Sequence, residues 1–397
     1  NKLSDEKVVN KSLDPRLIKR IQEIIKNKIN YISGTISPAD KNGDNLESLE
    51  AGLKYYYQLD PEMKLSLEPK YMGSRCQVYL FLEIESCYAV TRIGHKINPP
   101  IFEQLIKKFK NYMVSNKIKM MIIDGELMPW SYLGSGLINK SFKPIDLALK
   151  YQLDILEETG FESAYNALKE KMSATNFRQD FNSKSAKELI ASYGTSTYQT
   201  YKELINESHI SINELRVGAD KYHQQIELYG SEGEVDYKPF TILKIIYEDG
   251  KEIIPDNQIE LFHFVSNDKP CIIDFKFGFE ACLNQAQAYF DILTNNEKME
   301  GIVIKPNVNK LNIAPCLKIR NKNYLTLIYG PDYETNHKYN KLIKNKNIRK
   351  KLSVSIKEYN IGFKMLQMPY DQLDNENYVK ILIDFFGLEK IKVDPRL

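Results

Sequence analysis

Disulfide and zinc chemistry are the first things this sequence lacks. Its five cysteines, Cys76, Cys87, Cys271, Cys282 and Cys316, are odd in number and scattered, with no C-x-x-C pair. That argues against a disulfide framework and provides no structural zinc pattern. A reducing cytoplasm is the simple expectation. The five histidines form no metal-spaced pair either. There is no run of eighteen apolar residues and no signal-peptide pattern at the start, so no membrane partner is expected. Internal repeats and low-complexity tracts are missing, apart from a basic run at residues 338–351. Net charge is also scarce: 55 Lys and Arg against 52 Asp and Glu leave +3. So mild a balance neither proves nor excludes a nucleic-acid partner, because such binding reads local patches.

What is present is ordinary globular material. The 397 residues are 43% hydrophobic, enough for two or three cores. After a polar lead-in, "PRLIKRIQEIIKNKINYI" puts Leu17, Ile21, Ile24, Ile25 and Ile29 on one helical stripe. From Lys70 the period changes. Val78, Leu80, Leu82 and Ile84 alternate with Gln77, Tyr79, Phe81 and Glu83, which predicts a strand. "CYAVTRIG" reads as its hairpin partner, and "KIKMMIIDGELMPW" as an apolar strand entering Asp124, Gly125 and Glu126. Residues 150–228 are helical in pattern and almost free of strand signals. Strands resume at "YKPFTILKIIYEDGKEI", "QIELFHFVS", "MEGIVIKPN" and "CLKIRNKNYLTLIYG", with His263 expected as a packed strand residue. After about Pro331 the patterns are helical again. The stripes Val379/Leu382/Phe386 and Ile21/Ile25/Ile29 read as core.

Charged residues on apolar strands carry the chemistry. Lys70, Arg75, Arg92, Glu126, Glu300, Lys305, Lys318 and Arg320 all sit on strands or at their ends. Burying a charge is costly unless it is paired or meets a ligand. Lys318 and Arg320 are two apart, so a strand aims both to one side. Basic groups suit phosphate oxygens; carboxylates suit magnesium or ribose hydroxyls. A lone Lys-x-x-Gly-x-Arg is mostly turn chemistry, and a lone Asp-Gly-Glu is usually a solvated turn. Their joint order along the chain is the signal.

That order resembles the covalent nucleotidyltransferases, the superfamily of polynucleotide ligases and mRNA capping enzymes. "KYMGSR" resembles motif I, with Lys70 at the place of the nucleotidylated lysine. "TRIG" at 91–94 resembles the basic hairpin motif that follows. "DGEL" at 124–127 resembles motif III, "YKPFTILK" motif IIIa, "EGIVIKP" motif IV and "LKIR" motif V. Most ligases carry an acid two residues after the lysine; here Met72 stands there. "MGSR" is similar to the ligase of the bacterial RNA-repair system that also has a polynucleotide kinase-phosphatase. The resemblance implies an α+β fold: an antiparallel-sheet nucleotidyltransferase module (ATP-grasp-like ligase), a helical insert, a helical C-terminal module and no OB domain. The expected segments are 1–149 and 229–330 for the module, 150–228 for the insert and 331–397 for the tail.

The resemblance further implies an ATP-dependent RNA ligase that forms lysyl-AMP on Lys70, with Mg2+ or Mn2+, and passes AMP to an RNA 5′-phosphate. Lys305, Lys318 and Arg320 would stabilise the transferring phosphate. Glu68, Gly73, Arg75, Arg92 and Glu126 would contact the nucleotide. Glu300 would hold metal or water, and Phe240 would stack the adenine, with Tyr237 the second choice. Implied partners are RNA, a polynucleotide kinase-phosphatase and a terminal 2′-O-methyltransferase. Two alternatives remain. One is a GTP-using capping enzyme, disfavoured because the last 65 or so residues lack the alternating strands of an OB barrel. The other is a non-catalytic RNA-binding or scaffold subunit.

Overall fold

A computed structural model describes residues 14–134, 136, 138–206, 211–230, 233–345 and 347–397. The polar lead-in lies outside the described residues. The fold is mixed α+β with two sheets, and neither closes into a barrel among the described residues. The chain separates into two compact units. One comprises Asn1–Gly136, Tyr229–Tyr324 and Lys346–Leu397; the other comprises Leu137–Leu228 and Leu325–Asn345.

The first unit holds every strand of the described residues. They are β1 (Ser37–Pro38), β2 (Lys64–Lys70), β3 (Ser74–Leu80), β4 (Tyr88–Thr91), β5 (Lys96–Ile97), β6 (Ile118–Met128), β7 (Asp236–Tyr247), β8 (Glu252–Ile253), β9 (Cys271–Asp274), β10 (Gly301–Pro306) and β11 (Leu317–Arg320). One sheet runs β1-β11-β10-β2-β9 and the other β5-β4-β3-β6-β7-β8. All neighbours are antiparallel except β1 and β11.

Register explains how each sheet separates oil from charge. In the first sheet Glu68 and Lys318 lie opposite Val303, and Lys70 and Arg320 lie opposite Gly301. Side chains alternate with a period of two. Glu68, Lys70, Lys305, Lys318 and Arg320 therefore share one face. Leu65, Leu67, Ile302, Ile304, Leu317 and Ile319 share the other, packed on Leu49, Leu53 and Tyr56 of the helix Leu49–Leu59. Each such aliphatic side chain contributes about 1.5–3 kcal/mol on burial. A one-residue slip would bury the charges instead, so the register is strongly specified.

The second sheet repeats the division. Cys76, Val78, Leu80, Met121, Ile123 and Ile242 pack against Phe102, Leu105 and Phe109 of the helix Phe102–Ser115. Its other face carries Arg75, Gln77, Asp124 and Glu126 at one end, where Arg75 lies opposite Glu126 and Gln77 opposite Asp124. Further along, Tyr79, Ile122 and Ile246 meet Ile21, Ile24, Ile25, Val379, Leu382 and Phe386. The two apolar stripes read from the sequence thus meet in one core.

"QIELFHFVS" is not a strand. It is the helix Gln258–Val265, capped by Asn257, whose side chain accepts from the Glu260 N–H. Gln258, Phe262 and Val265 are its buried face. His263 is exposed, with Nδ1 2.8 Å from its own helix carbonyl at Ile259. "CLKIRNKNYLTLIYG" likewise splits into β11 and the helix Lys322–Tyr329.

The second unit is helical, with no strand among its described residues. Tyr165, Met172, Phe177, Leu189, Tyr201 and Leu204 form one cluster, and Leu153, Ile212 and Ala219 another. A Cβ at Gly218 would stand 2.0 Å from the Pro331 carbonyl oxygen, so residues 331–345 group with these helices.

Candidate active site

The polar ends of both sheets face a common cleft, lined by Lys70, Arg75, Glu126, Phe240, Val303 and Lys305 among others. Lys70 ends β2, and its Nζ is 2.9 Å from Oε1 of Glu300. Glu300 is buried and stands just ahead of β10. Gly301 is required there: a Cβ would lie 1.9 Å from the Ile319 carbonyl oxygen, so only glycine lets β11 come this close. That approach brings Lys318 and Arg320 alongside.

The other charges pair across strands. Lys305 Nζ is 2.5 Å from Glu68 Oε2 and 4.2 Å from the centre of the Phe240 ring. Glu68 also accepts from Gln258 Nε2 at 2.7 Å and Ser66 Oγ at 2.9 Å. Burial still pushes its carboxyl up, against the pull of Lys305. Arg75 donates to Asp124, with Nη2 to Oδ2 at 2.6 Å, and its guanidinium carbon is 5.8 Å from the Phe240 ring centre. Phe240 owes its direction to a β-bulge. Asp124 lies opposite Thr241 and Gly125 opposite Pro239, leaving Phe240 without a partner in β6 and turned to the cleft.

Tyr237, the second choice for a stacking aromatic, is in the core on the opposite face. Its hydroxyl donates to the carbonyls of Cys76 and Ile123 at 2.9 and 3.0 Å. Gly73 is dictated by β6: a Cβ would lie 2.5 Å from the Leu127 carbonyl oxygen and 2.6 Å from Glu126 Cγ. Burial raises the Glu126 carboxyl to about 7; Lys70 opposes this and Glu300 adds to it. The Lys318 ammonium is pushed well down, first by burial and then by Arg320.

Five expected residues do not line the cleft: Gly73 and Glu300 stand behind it against Glu126 and Lys70, Lys318 lies beside Arg320, and Arg320 and Arg92 have other surroundings. Arg320 is buried in a bidentate pair with Glu47 (Nη2 to Oε1 2.5 Å, Nε to both oxygens 3.1 Å) and also donates to the Arg396 carbonyl. It is not among the residues lining the cleft. Arg92 is exposed, in a separate groove with Ser33 and Lys351. Asp124, Gln258 and Glu47 are the partners that site reasoning missed. Asp124 was within reach, since it stands two residues from Glu126 and so on the same strand face. A second cavity adjoins the cleft beneath Phe240, lined by Tyr31, Thr35, Asp124, Gln258, Cys316 and Tyr359 among others.

The profile of the family described as PNKP adenylyltransferase domain, ligase domain, matches residues 264–377. Two solved structures of the Pnkp1/Rnl/Hen1 RNA repair complex contain a chain 32% identical to this one. The match covers 97% of this chain and 100% of that chain, with TM-scores of 0.84 and 0.86. No match is found among curated proteins. With that identity over the full length of the matched chain, and with Glu68, Lys70, Glu126 and Lys305 lining one cleft, the chain belongs to the PNKP-type RNA ligase (adenylyltransferase) family.

Proposed function

We propose that the protein is an ATP-dependent RNA ligase that works through lysyl-AMP on Lys70. The observation that carries this is the cleft itself: a half-buried lysine amine beside a carboxylate, with the cations Arg75 and Lys305 and the aromatic face of Phe240 in the same lining. Lys70 Nζ attacks the α-phosphorus of ATP. The N–P bond forms, the bond to the bridging oxygen breaks, pyrophosphate leaves, and Glu300 is placed to accept the amine proton. Lys305 and Lys318 stabilise charge on the transferring phosphoryl group. Arg320 acts through the Glu47 pair as a positioning residue. Phe240 stacks the base; Arg75 and Glu126 reach the ribose side. AMP then moves to an RNA 5′-phosphate, giving a 5′–5′ pyrophosphate linkage, and a 3′-hydroxyl displaces AMP to seal the strand.

A divalent cation fits this donor set. Glu300 helps hold the Glu126 carboxyl up, a like-charge conflict that a cation relieves. Among the described residues no group of three ligating side chains gathers. That suits magnesium, which takes one or two carboxylates and completes its shell with phosphate and water. When bound it neutralises phosphate charge. Glu126 and Glu300 would hold it.

The matched structures are of a complex with Pnkp1 and Hen1. This supports a reading in which the present chain works with a polynucleotide kinase-phosphatase and a terminal 2′-O-methyltransferase. Its five buried, unpaired cysteines suit the reducing cytoplasm. The test is incubation with α-labelled ATP or GTP and magnesium or manganese. ATP should leave a covalent label on Lys70 that is stable to alkali and released by acid, as a phosphoramidate is. Label from GTP alone would favour the capping reading. No label from either would favour the non-catalytic one. Sealing, measured with and without the companion subunits, should rise with them far more than label formation does.

A further inference from the structure

We propose that the groove holding Ser33, Arg92 and Lys351 is a second anion site, which takes a phosphodiester of the RNA strand; this rests on the ligase reading above. Lys351, in the helix Ile348–Gln367, is only 7% exposed and lines the groove, and its ammonium has no hydrogen bond or ion pair among the described residues. Ser33 is 2% exposed, and its hydroxyl is buried without a partner in the same groove. Arg92 stands exposed at the groove with no carboxylate within ion-pair distance among the described residues.

The carboxylates of the groove are already engaged. Glu358 accepts from the Thr35 N–H and hydroxyl at 2.7 and 2.6 Å, and Glu389 is paired with Arg20 at 2.9 Å. Burial lowers the Lys351 ammonium; Glu358 opposes this, while Arg92 and Arg320 add to it. A partly desolvated ammonium and a buried hydroxyl with no acceptor are each unfavourable in the free protein. A phosphate oxygen accepts from both at once, and Arg92 closes on the same anion.

Position favours RNA over ATP as the source of that phosphate. The groove shares no lining residue with the Lys70 cleft, and only Thr35, Ser33's near neighbour, also lines the cavity beneath Phe240. One extended stretch borders all three spaces: Ser33 and Thr35 face the groove, Thr35 and Ile36 the cavity, and Ile36 the cleft. A polymer leaving the cleft would follow that stretch; a mononucleotide held at Lys70 would not.

The test uses the full chain, a short 5′-phosphorylated RNA followed by fluorescence anisotropy across a salt series, and label formation from ATP. Lys351→Met should weaken RNA binding about tenfold and flatten the dependence of log affinity on log salt by about 0.7, one single-strand phosphate contact. AMP transfer to RNA should fall with it, while lysyl-AMP formation stays near wild type. Lys351→Arg should restore much of the binding, and Arg92→Gln should flatten the salt dependence by itself. Removing this partly desolvated ammonium should also leave the melting temperature of Lys351→Met equal or higher. Unchanged affinity and salt slope in both charge-removing variants would overturn the site, and an acidic protein segment would become the better occupant. Label formation lost in proportion to RNA binding would overturn it in favour of ATP phosphates. Affinity lost without a change in slope, and not restored by arginine, would mean packing only. A wild-type chain that takes no label would sink the ligase reading, while the anisotropy series would still decide the groove.

Discussion

Two lysines in the same unit show how burial alone fails to mark chemistry. Lys244, on β7, is 1% exposed and saturated: Nζ reaches Asn30 Oδ1 at 2.9 Å, the Leu366 and Met368 carbonyls at 2.8 Å, and Glu252 Oε2 at 2.5 Å. Lys70, at the end of β2, is half-buried with one carboxylate at 2.9 Å and a cleft in front of it. An ammonium has three protons to donate. At Lys244 all are spent on protein acceptors, so the group ties β7 to the end of the helix Ile348–Gln367. At Lys70 they are not. Coordination, more than burial, separates the tie from the nucleophile.

The sharpest way to break this comparison is Lys70→Ala. It should abolish covalent label from ATP while leaving the circular dichroism spectrum unchanged; surviving label would remove Lys70 from the mechanism. Next come the cations around the phosphate. Lys305→Ala and Lys318→Ala should each slow label formation by about a hundredfold, the loss typical of removing one donor to a developing charge. Near-normal rates in both would show that these strands do not line the phosphate path.

The opposite substitution sharpens the contrast. Lys244→Ala should leave the chemistry at Lys70 intact in the folded fraction but destabilise the protein by about 3 kcal/mol, because buried carbonyls and Asn30 lose their donor. Urea denaturation monitored with label formation separates the two effects. A stable Lys244→Ala protein that fails to take label would place Lys244 in the site after all.

The strands in "GIVIK" and "LKIR" were legible because a strand has one period, and in "LKIR" that period put Lys318 and Arg320 on one face before any contact was known; the strand Lys64–Lys70 was not, since "KLSLEPK" holds a proline and runs straight into the turn after Lys70. The long strands of the six-stranded sheet were legible for the same reason, though of their pairing only the hairpin of β3 and β4 was. The helix Gln258–Val265 was not: its aromatic and β-branched content imitates a strand, although "NQIE" carries the cap and the glutamate three residues on. Long-range pairing left no local trace. Glu47 meets Arg320 across 273 residues, and nothing near either predicts the other. The groove that Arg92 lines was not legible, because a hairpin motif tells which residue is basic but not which groove its turn overlooks. The choice between Phe240 and Tyr237 needed the bulge, a one-residue irregularity invisible to periodicity.

The smallest expected effect concerns Glu126, which lies between the two regimes: a half-buried carboxyl not saturated by protein, facing Lys70, Glu300, Arg75 and Asp124. Its carboxyl is raised from the ordinary 4.5 to about 7, with burial the first cause. The sign follows from linkage. Between those values the folded chain holds a proton that the unfolded chain releases, so the free protein gains stability as pH falls from about 7 toward 4.5 and loses it as pH rises through 7. Glu126→Gln removes that proton, so the difference in stability between wild type and variant should change by roughly 1 kcal/mol over this range, discounted because the carboxyl is partly open to solvent. The variant should gain most above pH 7, where the wild type carries the unfavourable charge. Melting curves of both proteins across this range give the difference directly, and other titrating groups cancel in it. Parallel curves would mean that Glu126 ionises as an ordinary surface acid. The like-charge conflict with Glu300, and with it the case for a cation between them, would then lose its physical basis.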